Sequence, residues 1–240
     1  MLDRDEILRR YTVADRTVPH LRVNFISSLD GSATQGGLSG GLNNADDKLV
    51  FDTLRMLSDV VLIGAGTLRD EGYGGLRLDD ESVAWRLGHG LPAQPTLAIV
   101  SSRLALPPTH AALVDAPVRP LVLTHDAAPA PARDALSGVA DVLVVGAGAV
   151  EAWQVRAALG ARGLMQVLCE GGPHLFGTLL AADAVDELCL TLSPVLEGGR
   201  AGRIAVGPDE TPRRMNLAGV IAAGDMLLLR YLRARPADGR

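Results

Sequence analysis

Aromatic residues are scarce in this 240-residue chain, at 3%. So few rings give no stacking platform for single-stranded nucleic acid. A formal charge of −5 leaves no basic stripe for a phosphate backbone. Nucleic acid is therefore not an expected partner. Cysteine is limited to Cys169 and Cys189, each inside an apolar run, the setting of reduced core thiols in a cytoplasmic protein. His20, His89, His110, His125 and His174 make no ligand spacing with them, so no metal site is expected. No apolar run reaches the roughly eighteen residues of a membrane span. The N-terminal MLDRDEILRRY is charged where a secretory signal would be apolar. The expectation is a cytoplasmic protein with no membrane contact.

What the chain does have is aliphatic bulk. Hydrophobic residues make up 48% and charged residues 21%, enough for a sizeable core in a single α/β unit. Short apolar runs alternate with helical patterns, the βαβ signature. LRVNFIS (21–27) reads as a first strand ended by Asp30-Gly31, and a helix follows over 45–58 with Leu49, Val50, Leu54 and Leu57 on one face. The runs at 59–67, 96–102, 120–125 and 141–148 read as strands covered on both faces. A helix over 150–163 and the strand MQVLCE precede a further helix opened by Pro173. Two last runs, 185–196 and 225–233, have no helix between them and are expected to close the sheet as antiparallel edge strands. Loops are expected at 70–94 and 197–214. The architecture expected is one domain over 1–240, with a mixed, mostly parallel sheet between helices.

Three strand ends carry glycines with helices behind them: Gly64-Ala65-Gly66, Gly146-Ala147-Gly148 and Glu170-Gly171-Gly172. Neither of the first two completes G-x-G-x-x-G, because Arg69 and Glu151 stand at the last position. Each alone is equally a tight strand-to-helix turn. Together they suit a phosphate-rich ligand lying across the strand ends. Ser101, Ser102 and Arg103 follow another strand with no acid beside them. A guanidinium with hydroxyls there holds a phosphomonoester and would tell NADP from NAD. Taken alone, Arg103 is equally an exposed loop residue.

Three blocks carry a closer resemblance: VNFISSLDGSAT, LRMLSDVVLIGAGTLRDEGY and LCEGGPHLFGTLLAADAVDELCLTLSPVLEGG. In this order they resemble the pyrimidine reductases of riboflavin biosynthesis, the reductase half of the bifunctional deaminase–reductase. The similarity runs from Leu21 to about Tyr231, and the zinc deaminase motifs are absent from the sequence. The resemblance implies an α/β, dihydrofolate-reductase-like three-layer fold. It also implies an NADPH-dependent oxidoreductase, commonly a homodimer, that reduces the ribosyl side chain of a ribosylaminopyrimidine 5′-phosphate.

It further implies that Glu170, Gly171 and Gly172 line the nicotinamide and pyrophosphate side of the cofactor. Gly64, Ala65, Gly66 and Thr67 are placed on the same cleft, Gly146 at the third glycine-bearing strand end, and Ser102 with Arg103 at the 2′-phosphate. On the substrate side, Asn43, Asn44 and Lys48 stand where the family has Thr-Ser and an arginine. Arg55 falls on the family's Leu-Arg pair, Glu71 on its Asp-x-Pro turn with Tyr73 replacing the proline, and Arg77 near that segment's end. Asn44, Lys48, Arg55 and Arg77 are thus the expected phosphate-binding set. A hydride needs a cofactor, and the reduction is completed by a proton from an acid beside the acceptor. Glu71 is the first choice and Asp30 the second, although Asp30 is equally a turn residue before Gly31. Asp47, followed by Phe51, is similar to the acid of dihydrofolate reductases, and is equally a plain first-turn carboxylate. That similarity keeps a pterin reductase as an alternative, and a non-catalytic NADP-binding module as another.

Overall fold

The computed structural model describes residues 2–207 and 212–234. The chain ends and 208–211, within the expected 197–214 loop, lie outside the described residues. Nine strands form one sheet: β1 (His20–Ser28), β2 (Val60–Gly64), β3 (Thr96–Val100), β4 (Leu121–Thr124), β5 (Asp141–Val144), β6 (Gln166–Cys169), β7 (Glu187–Ser193), β8 (Met215–Ala223) and β9 (Met226–Arg233). Their order is β5-β4-β3-β2-β6-β1-β7-β9-β8. The seven from β5 to β7 are parallel, and β9 and β8 are added antiparallel. The helices are α1 (Arg4–Tyr11), α2 (Ala45–Leu57), α3 (Ala65–Asp70), α4 (Asp80–Gly88), α5 (Ala111–Val114), α6 (Ala130–Ser137), α7 (Ala152–Gly160) and α8 (Pro173–Ala181). None of the described helices is long and apolar enough to cross a membrane.

Strand alternation builds the three layers. Val61 and Ile63 face one core with α1 and α2, whereas Val60 and Leu62 face the other with α7 and α8. In α2, Val50, Leu54 and Leu57 form the buried stripe. The Asn44 side chain accepts the N–H groups of Asp46 and Asp47 at 2.9 and 3.0 Å and fixes where that helix begins.

Several expectations are corrected. The 70–94 segment contains α4, whose start is capped by Asp79 accepting from Ser82 N–H at 2.7 Å. Arg86 of this helix is fully buried and donates to the carbonyls of Pro92, Met56 and Ser58. It thereby satisfies the open C-terminal end of α2. Burial lowers its pKa to about 10, so the guanidinium stays charged at neutral pH. α1 went unread because its signal is mostly polar: Asp3 accepts from Glu6 N–H at 2.7 Å. β5 is an edge with Val144 exposed, not a strand covered on both faces.

The two C-terminal runs are not edges either. β7 is flanked by β1 and β9, and the free edge belongs to β8, whose mostly exposed residues give little strand signal. At the start of β7, Glu187 is wholly buried and accepts from Arg22, Arg230 and His20. Burial pushes this carboxyl up, but Arg22 foremost, with His20 and Arg230, holds it well below the usual range. Finally, the 204–207 segment docks on α8, with Ile204 and Ala205 packed against the core that includes Leu175, Phe176 and Leu179. Val206 N–H donates to Pro173 C=O at 3.0 Å, and a Cβ on Gly177 would lie 2.0 Å from Val206 C=O.

Candidate active site

A cleft of about 420 Å³ opens where the C-terminal halves of β1 and the ends of β2 and β6 meet α2, α3 and the 33–43 loop. Of the glycine-bearing turns beside it, Gly172 lines the cleft, whereas Gly64, Gly66 and Gly171 do not. Gly64 N–H donates to Gly171 C=O at 2.7 Å, which ties the β2–α3 turn to the β6–α8 turn. Gly171 has φ +112°, and its peptide bond to Gly172 is cis. A Cβ on Gly171 would lie 3.4 Å from the Phe25 ring, which stacks on Phe176 at 4.9 Å. On Gly172 a Cβ would lie 2.2 Å from Thr67 Oγ1. The protein itself thus fills the space at these two glycines. Gly66 differs, because a Cβ there would meet nothing within 4 Å. Gly146 stands outside the cleft lining, and its missing side chain is explained by its own turn, where a Cβ would lie 1.8 Å from Ala149 C=O.

Glu170 carries the most bonded carboxylate of the cleft. Arg55 grips it with two hydrogen bonds, Nε to Oε1 at 2.6 Å and Nη2 to Oε2 at 2.7 Å. Tyr73 donates its hydroxyl to Oε2 at 3.1 Å. The guanidinium also lies 4.1 Å from the Phe51 ring centroid. Burial alone would lower the Arg55 pKa, but the adjacent Glu170 charge outweighs it and raises it further. Burial, and then Glu170, push the Tyr73 hydroxyl up as well, so it remains a donor.

Asp47 sits on the first turn of α2, 7% exposed, and faces the cleft. Thr191 of β7 donates to its Oδ1 at 2.5 Å. Burial raises its pKa, opposed by that one hydrogen bond. Glu71 also lines the cleft and accepts Ser39 N–H at 2.9 Å, so it positions the 33–43 loop. Asp30 does not line the cleft. It accepts from the Ser28 hydroxyl and from the N–H groups of Glu197 and Gly198, at 3.2 and 2.7 Å. Those bonds, the Ser28 hydroxyl first, hold its pKa down to about 2. It is a carboxylate clasp between two loops, with no proton to give at neutral pH.

The expected phosphate set is not brought together. Asn44 caps α2, and Lys48 pairs with Asp52 at 2.7 Å on an exposed face. Arg55 is held by Glu170, and Arg77 is exposed outside the cleft lining. Ser102 and Arg103 are exposed in the loop after β3. Sequence reasoning missed Thr191, Phe25 and Phe176. A signal for Thr191 existed: in ELCLTLS the buried row is Glu187, Cys189, Thr191 and Ser193, while the leucines between them are only half buried.

Comparison with known proteins bears on the fold and the family. The family model described as the RibD C-terminal domain matches residues 19–229. The 2,5-diamino-6-ribosylamino-4(3H)-pyrimidinone 5′-phosphate reductase of Archaeoglobus fulgidus is 29% identical over 183 residues, 76% of this chain and 83% of that one. The riboflavin biosynthesis protein RibD of Mycobacterium tuberculosis is 30% identical over 195 residues, covering 80% of this chain but 47% of that longer protein. Among solved structures, a pyrimidine reductase-like protein from Corynebacterium diphtheriae superposes with a TM-score of 0.85 at 27% identity, over 96% of this chain and 99% of its own. The riboflavin biosynthesis reductase of Saccharomyces cerevisiae shares the fold, with a TM-score of 0.71 at 16% identity over 97% of this chain and 100% of its own. The three layers described above are the dihydrofolate-reductase-like α/β/α architecture of these reductases. On the match over residues 19–229, this chain belongs to the RibD C-terminal domain family, the pyrimidine reductases of riboflavin biosynthesis.

Proposed function

We propose that this chain is an NADPH-dependent reductase that converts the ribosyl side chain of a ribosylaminopyrimidine 5′-phosphate to ribityl. The observation that carries this reading is one cleft lined by Gly172 of the β6–α8 turn, Thr67 of α3 and the buried acid Asp47. The names of the relatives supply the acceptor. The residues fit a dinucleotide: Gly66 and Thr67 offer open main chain at the start of α3, and Ser102 and Arg103 stand free beyond β3 for a 2′-phosphate. When bound, NADPH supplies the hydride that adds to the imine carbon of the opened ribose.

The remaining chemistry falls to the chain's own side chains. Arg55 and Tyr73 fix Glu170 in the cleft lining, and Phe25 packs on Gly171. Asp47, whose pKa burial raises and whose carboxyl Thr191 orients, gives its proton to the nitrogen as the carbon is reduced. This moves the acid's role from Glu71 to Asp47.

Asp47 also favours a second reading. A buried acid with Phe51 one turn on suits a pterin acceptor, whose ring imine takes the same hydride and proton. NADPH oxidation measured side by side with the ribosylaminopyrimidine phosphate and with dihydrofolate decides between them. Turnover of the first alone supports the leading reading, turnover of the second alone replaces it, and turnover of neither leaves an NADP-binding module. The reading takes 1–240 as one cytoplasmic reductase unit that pairs with a second copy. Sedimentation at micromolar concentration tests the pairing, and a monomer removes it.

A further inference from the structure

The chain has only three Phe, three Tyr and two Trp, yet Phe25, Phe51 and Tyr73 all line this cleft. Phe25 stands at the glycine turns, and the other two flank Arg55. The guanidinium carbon lies 4.1 Å from the Phe51 ring centroid and 5.5 Å from that of Tyr73. Two rings and a flat cation make a wall that suits a planar heterocycle.

Tyr73 is held in place by the protein itself. Gly72 turns the chain at φ +68°, and Tyr73 N–H donates to Leu68 C=O at 3.0 Å. A Cβ on Gly75 would lie 2.5 Å from Asp115 C=O, so backbone rests on backbone just beyond it. The Tyr73 hydroxyl has one proton, and it goes to Glu170 Oε2 at 3.1 Å. A bond to a charged carboxylate is stronger than one to a neutral group. Burial first, and then Glu170, push the phenol pKa up, so that proton stays. Among the described residues, no group donates to the phenol oxygen. What the oxygen offers a ligand is therefore its lone pairs, strengthened as acceptors by the bond given to the carboxylate.

Resting on the reductase reading above, we propose that Tyr73 binds the acceptor's pyrimidine ring, its phenol oxygen accepting an N–H of the heterocycle laid along the Phe51–Arg55 wall. A carbonyl at that point would set lone pair against lone pair, so the position selects a donor. Tyr73 stands where the family resemblance expects a proline, whose ring can make no such bond. The contact is thus a feature of this chain's own loop.

Tyr73→Phe removes one oxygen and keeps the ring beside Arg55, which still grips Glu170 by two bonds of its own. The test measures kcat and KM for 2,5-diamino-6-ribosylamino-4(3H)-pyrimidinone 5′-phosphate at saturating NADPH. In parallel, that ribotide and the sugarless 2,5,6-triamino-4(3H)-pyrimidinone are titrated by calorimetry into the NADP-saturated protein, which cannot reduce them. Expected is a rise of roughly two- to tenfold in KM and in both dissociation constants, the worth of one neutral hydrogen bond. The kcat and the NADPH dissociation constant should hold. If the ribotide weakens and the bare base does not, the bond goes to a sugar hydroxyl and the proposal is overturned. A lower kcat or weaker NADPH binding, with ribotide affinity unmoved, makes Tyr73 a positioner of Glu170 and overturns it as well. So does a silent variant, or a parent protein that binds neither compound. If the parent reduces no acceptor, the reductase reading fails, while Tyr73-dependent binding of the triaminopyrimidinone still upholds the contact.

Discussion

At the scale of single residues, Asp47 combines two opposed demands. Its pKa is raised by burial, so between the unfolded carboxyl value, about 3.9, and the higher folded value the native chain holds more protons than the unfolded one. Stability from this group is therefore full at low pH and lost as pH rises through the folded pKa. Turnover that needs the protonated acid falls over the same window. Asp47→Asn should lower kcat by about 10²–10⁴-fold while raising the melting temperature at neutral pH, since the amide oxygen still accepts from Thr191. Calorimetry and stopped-flow NADPH oxidation on the same preparation check both halves, and a destabilised variant refutes the pKa argument.

Arg103 is the second residue-scale case. A bond to the 2′-phosphate is worth about 1.5–3 kcal/mol, so Arg103→Ala should weaken NADPH binding roughly ten- to a hundred-fold and leave NADH binding unchanged. Equal weakening of both would place Arg103 elsewhere. The sequence showed Asp47, Arg103 and Glu170 as candidates, because a carboxylate or guanidinium is conspicuous at a strand or helix end. It did not show which of them are partners. Arg55 and Glu170 are 115 positions apart, and only the fold discloses that a residue suited to a phosphate is bound to a carboxylate.

At the scale of elements, the parallel core was legible and the additions to it were not. The strands β2, β3, β4 and β6 are apolar runs buried on both faces, so hydrophobicity alone marks them. β8 has a mostly exposed row, with Leu217 and Val220 open to solvent, and carries little such signal. α4 is recruited by a polar contact: Arg86 reaches back to the end of α2. Replacing it takes this donor from two buried carbonyls, of Met56 and Ser58, and from the part-buried one of Pro92. Arg86→Met should therefore cost about 2–4 kcal/mol, at about 1–3 kcal/mol for each group left unsatisfied and with partial relaxation. Urea unfolding measures it. NADPH affinity of the folded variant should match the parent, because α4 does not line the cleft; a lost affinity would show that α4 shapes the site.

At the scale of the whole molecule, cofactor binding and folding are linked. A ligand that binds only the native state at about a hundred times its dissociation constant adds roughly 2.7 kcal/mol. In a chain of this length each kcal/mol is worth about 2–4 °C. Saturating NADPH should therefore raise the melting temperature by about 5–10 °C, read by differential scanning fluorimetry. No shift with either NADPH or NADP would remove the cofactor from the proposal.

The docking of 204–207 onto α8 bears on how this protein tolerates change over generations. Because Val206 binds through its N–H and lies against Gly177 through its C=O, the contact is blind to the side chain at 206, which is 38% exposed. That position is free to drift among residue types. Gly177 is not, since any Cβ there meets backbone, which has no rotamer by which to step aside. A mutational library should therefore show a permissive site facing an intolerant one across the same contact.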